Sequence, residues 1–228
     1  MARLPRLALA GELHQVALRG HNGGAAFTDE ADRTDFLAML RQAALEQDVA
    51  VHAYVLLDAQ VRLLCTPARA DALGRLMQSL GRRYVLAFNR RHGRRGTLWE
   101  GRFRSGVIDA AHWLLDATVL IEDLPVQSGL VAAAGDWRWS SAAHHLGRLR
   151  DPVVTEHGAY WSLGNTPFER ELAHARLLAH GIERPRAEQL ERALQQGLAL
   201  GSGAFLAKLA ETTSRPLTAR PRGRPRAS

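Results

Sequence analysis

Residues 51–67 read VHAYVLLDAQVRLLCTP, and this stretch decides the fold. It contains two apolar runs, Val51–Leu57 and Val61–Thr66, separated by the short polar turn Asp58-Ala59-Gln60. Runs of this length, rich in β-branched and aromatic residues and separated by a tight turn, are typical of a β-hairpin. The stretch therefore predicts the two central strands of a sheet.

The flanking sequence supplies further strands and helices. Residues 12–20 alternate in hydrophobicity and predict a strand, as do residues 102–109. Helices are expected from about residue 30, over about 70–90, and over about 110–124, where Pro125 ends the third helix. The order βαββαβα predicts an α+β fold: a ferredoxin-like antiparallel sheet with helices on one face and the other face free for a substrate.

The charge balance favours a nucleic-acid partner. The chain has 228 residues, 46% of them apolar, and a net charge of +7. Lys208 is the only lysine, so the positive charge is almost entirely arginine, which binds phosphate and guanine edges in a bidentate manner. A GC-rich genome would explain the ratio of arginine to lysine, but not the net charge.

The remaining composition predicts a soluble protein of a reducing compartment. The single cysteine, Cys65, lies in an apolar strand and reads as a core residue. No apolar run approaches the 18 residues of a membrane span, and the N-terminus lacks the apolar core of a signal peptide. We expect a cytoplasmic protein, with association with the nucleoid as an option.

The C-terminal third divides into a connector, a helical region and a basic tail. Residues 151–165 are rich in glycine, proline and aromatic residues and predict a connector. Helices are expected from Thr166 to about residue 180, over about 187–196 and over about 204–212. We predict three units: residues 1–150, a helical appendage at 151–212, and a tail at 213–228.

Several short stretches share the order and spacing of one known family. They are Leu18-Arg19-Gly20, Phe88-Asn89-Arg90-Arg91-His92-Gly93, Leu98-Trp99-Glu100-Gly101-Arg102-Phe103, Pro125-Val126, Gly129-Leu130-Val131 and Asp136-Trp137-Arg138-Trp139-Ser140-Ser141. With the hairpin, they make residues 4 to 150 resemble the bacterial REP-associated tyrosine transposases, which belong to the HUH single-tyrosine transposases. The resemblance implies DNA strand transfer by a nucleophilic tyrosine and a divalent metal, Mg²⁺ or Mn²⁺, held by two histidines.

The residues that carry this chemistry are replaced. Gln60 and Arg62 stand where the resemblance places the two metal-binding histidines, and Leu120 stands where it places the tyrosine. Leucine has no nucleophilic atom, and a guanidinium offers no lone pair and repels a cation. The sequence therefore predicts no catalytic residue, no metal at the family position and no cofactor.

Other residues offer weaker replacements. The chain contains three tyrosines, Tyr54, Tyr84 and Tyr160, and each is better explained as structural. A substitute metal site built from His14, His52 and His92 is conceivable, but lone strand histidines are usually core or surface groups. The acidic pair of Glu122 and Asp123 reads as a solvated helix end.

Arginines remain as the candidate DNA-binding residues. If the open sheet face meets DNA, Arg62 at its middle binds a phosphate, Arg19, Arg102 and Arg104 extend the surface, and Arg90, Arg91, Arg94 and Arg95 form its rim. The alternative is that these arginines only keep a basic protein soluble.

The tail carries a second candidate. The core Arg222-Gly223-Arg224-Pro225 resembles an AT-hook, in which arginines flanking a glycine lie along the narrow A·T minor groove. A basic tail that binds any polyanion weakly is the alternative.

The leading hypothesis is a transposase-like protein that has lost strand cleavage and still binds DNA. The expected DNA is single-stranded or a hairpin, with adjacent A·T-rich duplex for the tail, and the resemblance also implies a homodimer. One alternative is an active transposase that cuts and joins single-stranded or hairpin DNA through unconventional residues. The other is a repurposed protein-interaction module with incidental arginines.

Overall fold

The computed structural model describes residues 6–218. Its five strands are β1 (Leu13–Arg19), β2 (Val49–Leu57), β3 (Gln60–Pro67), β4 (Arg104–Ile108) and β5 (Ala199–Leu200). Its helices are α1 (Glu30–Gln47), α2 (Ala72–Arg91), α3 (Ala110–Gln127), the short α4 (Ala142–His145), α5 (Pro167–His180), α6 (Arg184–Gln196) and α7 (Gly203–Thr212).

The strands form one sheet in the order β2-β3-β1-β4-β5. The pairs of β2 with β3, β3 with β1, and β1 with β4 are antiparallel, and β5 is added parallel to β4. The hairpin of β2 and β3 is as the sequence predicted, and the α+β class with an antiparallel core sheet is confirmed. The predicted elements up to residue 109 agree with the structure to within two residues at most ends.

The first face of the sheet is covered by α1 and α2. Side chains of β1, β2 and β3 such as Val16, Leu56 and Leu63 pack there against Phe36 and Leu80 of the two helices. Edge-to-face rings add to this layer: Phe36 lies 5.2 Å from Phe27 and 5.0 Å from Tyr84, centroid to centroid.

The second face is also covered, which corrects the expectation of helices on one face only. Apolar side chains of the strands point to this face as well, among them Leu13, Val55 and Leu64. They pack against α3 and against Leu190 of α6, which is fully buried. The second face is covered because apolar and polar residues do not alternate along β2 and β3. Both strands are apolar on both faces, and such strands have to be buried on both sides.

Pro125 does not end α3, contrary to the sequence expectation. The helix continues to Gln127, and the amide of Ser128 still donates to the carbonyl of Leu124 at 2.9 Å. A proline has no amide hydrogen and so removes one helical hydrogen bond, but the neighbouring bond from Ser128 to Leu124 is kept. The last turn therefore carries Pro125 as a buried helical residue.

The C-terminal helical region packs against the sheet and extends it. The predicted helix start at Thr166 is confirmed as a capping box with Glu169. Strand β5 was not predicted; its two residues continue the sheet beyond β4. Gly106 of β4 permits the close approach of α6, because a side chain there would place its Cβ 3.0 Å from the carbonyl oxygen of Ala193.

Among residues 6–218, no helix combines the length and the apolar character needed to cross a membrane.

His14 of β1 is a buried histidine held in one neutral form. Its Nδ1 donates to the carbonyl of Glu12 at 2.7 Å, and its Nε2 accepts from the amide of Leu9 at 3.3 Å. Burial lowers the pKa of His14 to about 4, against a weaker raising effect of Glu12. A second proton, on Nε2, would point at the amide hydrogen of Leu9, so the local hydrogen bonds disfavour the charged ring.

We expect acid to destabilise the fold through this ring. The unfolded chain takes up a proton near pH 6.5 and the folded chain only near pH 4, so the free energy of unfolding falls as the pH falls between these values. The loss attributable to His14 is about 3 kcal/mol. Urea unfolding of the wild type and of His14→Gln from pH 7.5 to 4 measures it as the difference between the two slopes. The exposed His21→Gln serves as control, and identical slopes for wild type and His14→Gln contradict the prediction.

Candidate nucleic-acid interface

The positions of the family's metal ligands do not fit a metal. Arg62 lies on β3 with its guanidinium turned to the second face, where it is buried and forms a salt bridge with Glu191 of α6. Burial lowers the pKa of Arg62, while the Glu191 carboxylate raises it. Gln60, two residues earlier on the same face, adds one neutral amide. A paired cation at the centre of the site leaves no place for a second one.

Leu120 takes part in packing. It is 7% exposed and belongs to the apolar cluster between α3 and the second face of the sheet, with Ile121 and Trp113. The same cluster includes Ala53 and Val55 of β2 and Leu64 of β3, so Leu120 is a core residue.

The three tyrosines are bound as structural groups. The hydroxyl of Tyr54 donates to Asp151 at 2.5 Å, that of Tyr84 to the carbonyl of Ala26 at 2.6 Å, and that of Tyr160 to the carbonyl of His145 at 3.1 Å. All three side chains are buried, and burial raises the pKa of each hydroxyl. A tyrosine with a raised pKa and an occupied hydroxyl is a poor nucleophile.

The three candidate histidines do not form a site together. His14 bonds to backbone groups of its own end of β1, as described above. His52 bonds the carbonyl of Thr155 and the hydroxyl of Thr66, at 2.7 and 2.9 Å. His92 lies beside Asp32, with Nε2 at 2.9 Å from the nearer carboxylate oxygen.

Four of the predicted DNA-binding arginines meet at one small cavity. Arg19 ends β1, Arg62 lies on β3, Arg102 precedes β4 and Arg104 begins β4, and all four line a cavity of about 20 Å³ together with Glu100 and Gln195. Arg19, Arg102 and Arg104 are exposed. Four arginines thus face two carboxylates, Glu100 and Glu191, and the surplus is positive. We call the three exposed residues the arginine rim.

The other predicted arginines lie outside this cavity. Arg91, at the end of α2, pairs with Asp29 at 2.7 Å, and Arg94 lies 5.5 Å from the centroid of the Phe88 ring. Arg90 and Arg95 are exposed in the same basic segment. The charge of Arg91 is partly neutralised by the acidic start of α1. The tail residues Arg222, Gly223, Arg224 and Pro225 lie outside the described residues.

The structure contains one polar cluster that the sequence analysis missed. Glu122, read as a solvated helix end, is fully buried in α3 and accepts from His145 of α4 at 2.6 Å and from His174 of α5 at 2.7 Å. Burial favours the neutral acid, but the two imidazoles outweigh it and lower the pKa of Glu122 well below its usual range. The spacing gave a signal: Leu114, Thr118 and Glu122 follow one another at the four-residue spacing of a buried helix stripe.

A second cluster of carboxylates and histidine lies at the start of α1. Asp29, Asp32 and His92 place their ligand-type atoms within 4.8 Å of one another, and Arg91 reaches the same carboxylates. Burial disfavours the charged form of Asp32, but hydrogen bonds from His92 and Thr28 lower its pKa overall. Arg91 offsets one of the two negative charges, and Asp29 caps the N-terminus of α1 by accepting from the amide of Asp32, so the group serves as a helix start.

Comparison with known proteins identifies the fold. No family profile and no curated protein matches this chain. A solved structure of a REP-associated tyrosine transposase bound to a REP hairpin is 17% identical, with a TM-score of 0.55, and the match covers 70% of this chain and 96% of that one. A provisionally named transposase from Deinococcus radiodurans R1 is 18% identical over 58% of this chain and all of that one, but its TM-score is 0.35. At this identity, the first match establishes a shared transposase fold.

The buried pair of Arg62 and Glu191 generates a stability prediction. Glu191→Ala leaves an unpaired guanidinium under α6 and should lower the free energy of unfolding by about 2 kcal/mol, less than for a fully buried pair because Glu191 is 34% exposed. Replacing both partners by apolar residues, in Arg62→Met with Glu191→Leu, should recover most of the loss. Urea unfolding at pH 7 measures both.

A matched control lies on the same helix. Glu188 pairs with Arg184 on the exposed side of α6, and Glu188→Ala should cost less than about 0.5 kcal/mol. Equal losses in the free energy of unfolding for Glu188→Ala and Glu191→Ala would show that the buried pair contributes no more to stability than the exposed pair.

Proposed function

We propose that this protein binds DNA through its transposase fold and does not cleave it by the tyrosine and metal route. The DNA is single-stranded or a hairpin, held by its phosphates at the arginine rim. The observation that carries the proposal is the meeting of four arginines, from three separate segments of the chain, at one cavity on one side of the sheet. Chance surface arginines have no reason to converge from distant parts of the chain.

The contacts assign different roles to these arginines. Arg62 is buried and paired, so its guanidinium contributes positive potential and anchors α6. The arginine rim is exposed; Arg104 donates to the amide oxygen of Gln195, and an exposed guanidinium has further N–H groups with which to bind phosphate oxygens in bidentate geometry. Arg90, Arg91, Arg94 and Arg95 form a secondary basic segment for a longer DNA.

The proposed lack of cleavage follows from the same geometry. A strand transfer of this type needs a nucleophilic hydroxyl and a polarised phosphate at one place. Leu120 supplies no hydroxyl, and the three tyrosines are buried with occupied hydroxyls. Arg62 occupies the position where the resemblance implies a metal ligand, and its guanidinium offers no lone pair to a metal.

The solved relative supports the choice of DNA. That transposase was determined bound to a REP hairpin, and its fold is shared by this chain. A labelled hairpin from the DNA flanking the gene is therefore the first ligand to use. A homodimer, implied by the sequence resemblance, remains a prediction that the mass of the complex in solution decides.

Loss of the arginine rim should weaken hairpin binding by at least about tenfold. The variant with Arg19, Arg102 and Arg104 replaced by alanine removes three cations that neutralise phosphates, so the slope of log affinity against log salt should fall by about 2 to 3. Fluorescence anisotropy with the hairpin at 50 to 300 mM salt measures both quantities.

The control removes the same charge elsewhere. Arg41, Arg75 and Arg82 are exposed on α1 and α2, which cover the first face of the sheet, and their replacement by alanine should leave the affinity within about threefold. The variant with Arg62→Met and Glu191→Leu keeps the rim and should also bind. Equal losses for rim and control variants would reduce the proposal to non-specific attraction, and a covalent adduct with Mg²⁺ or Mn²⁺ would refute the loss of cleavage.

We propose that the tail binds A·T-rich duplex beside the hairpin. Arg222→Ala with Arg224→Ala should weaken binding about 3- to 10-fold when the flanking duplex is A·T-rich, and much less when it is G·C-rich. Deletion after Thr218 should have the same effect. The deletion ends there because Leu217 packs beside Val107 and Leu209.

Two arginines outside the core of the motif give the control. Arg220→Ala with Arg226→Ala removes the same charge from the tail and leaves Arg222, Gly223, Arg224 and Pro225 intact. If both double variants lose affinity equally, on either flanking sequence, the tail acts only as a polycation.

A further inference from the structure

The buried cluster of Glu122, His145 and His174 has the composition of a metal site. It consists of two imidazole nitrogens and one carboxylate, supplied by α4, α5 and α3. Their ligand-type atoms lie within 4.8 Å of one another, and all three residues are at most 4% exposed. Two histidines and a glutamate are a known ligand set for Zn²⁺.

The charge of the cluster also favours a cation. Glu122 is fully buried, and no arginine or lysine of residues 6–218 forms a salt bridge with it. A carboxylate in the buried core is unfavourable unless a cation compensates its charge. A bound divalent ion removes this negative charge and uses all three side chains at once.

The surroundings hold the carboxylate in place. Ser141 donates its hydroxyl to one oxygen of Glu122 at 2.5 Å, the same oxygen that bonds His145. A hydroxyl in this position orients the ligand from outside the coordination shell. The ring of Tyr160 lies 4.9 Å from that of His145 and 5.7 Å from that of His174, and it also lines a cavity of about 590 Å³. The side chain of Tyr160 therefore lies between this cavity and the cluster.

We propose that Glu122, His145 and His174 bind one Zn²⁺ that fastens α5 to α3 and α4. Nδ1 of His145 and Nε2 of His174, which face Glu122, are the nitrogen ligands. The donor atoms have to separate from hydrogen-bond distance to about 3.4 Å, the spacing around a tetrahedral ion with bonds near 2.1 Å. Water takes the fourth position. The buried setting suits a structural ion, and the proposal is independent of DNA binding.

Metal binding requires a lone pair on Nδ1 of His145 and on Nε2 of His174, so the hydrogen of each neutral ring has to lie on the other nitrogen, Nε2 of His145 and Nδ1 of His174. Nδ1 of His174 has no hydrogen-bond partner among the described residues, so its new N–H is unsatisfied. The affinity should therefore be lower than that of a zinc site whose outer hydrogen bonds are all made.

The test is titration of the metal-free full-length protein with Co²⁺, followed by Zn²⁺ competition. We expect one Co²⁺ per chain with the intense visible bands of four-coordinate cobalt, displacement by one equivalent of Zn²⁺, and a higher unfolding midpoint with Zn²⁺. His174→Gln and Glu122→Gln should each abolish the bands and weaken Zn²⁺ binding at least about tenfold.

Two controls separate this site from others. His92→Gln alters the group at the start of α1, and His180→Gln alters an exposed histidine of α5; both should keep the bands. Bands that persist in His174→Gln and vanish in His92→Gln overturn the assignment. So does the absence of saturable binding by the wild type, in which case the hydrogen bonds with His145, His174 and Ser141 alone satisfy Glu122. If the ligand variants do not fold, X-ray absorption of the zinc-loaded wild type decides by the number of imidazoles bound.

Discussion

The central strands are apolar on both faces, and the whole arrangement follows from this constraint. A half-exposed sheet needs alternation of apolar and polar residues, but β2 and β3 bury nearly every side chain. Two helices, α1 and α2, cover one face, and α3 and α6 cover the other. The C-terminal third is thereby recruited into the core, since Leu190 of α6 fills the second face.

This covering determines the fate of the one charged residue at the middle of the sheet. Arg62 points to the face that α6 covers, and a guanidinium taken out of water requires a partner there. Glu191 is that partner, placed one residue after Leu190 on the same helix. The position where the resemblance implies a metal ligand has therefore become part of the packing between sheet and helix. A histidine introduced at position 62 alone would still lie beside Glu191 and beneath α6.

The sequence predicted the local structure well and the long-range contacts poorly. Periodicity located the hairpin and the helices, because apolar spacing is a local property, and Thr166 with Glu169 marked the start of α5 correctly. The covering of the second face was not predicted, because β4 and α6 are about 80 residues apart and no local pattern joins them. Glu122 was misread for a related reason: a helix end next to Pro125 resembles a solvated end, while His145 and His174 come from other helices.

Binding and cleavage of DNA place unequal demands on a protein, and the proposed function uses only the first. Phosphate binding needs positive charge at a suitable distance, and several arginines supply it with wide tolerance in geometry. Cleavage needs a nucleophile, a metal and a scissile phosphate aligned to within fractions of an ångström. In this chain the arginines converge from β1, β3 and β4, whereas Leu120 and Arg62 are tied into packing. Under the proposed function, the strands that bring the arginines together to hold DNA phosphates are the same strands that hold the core.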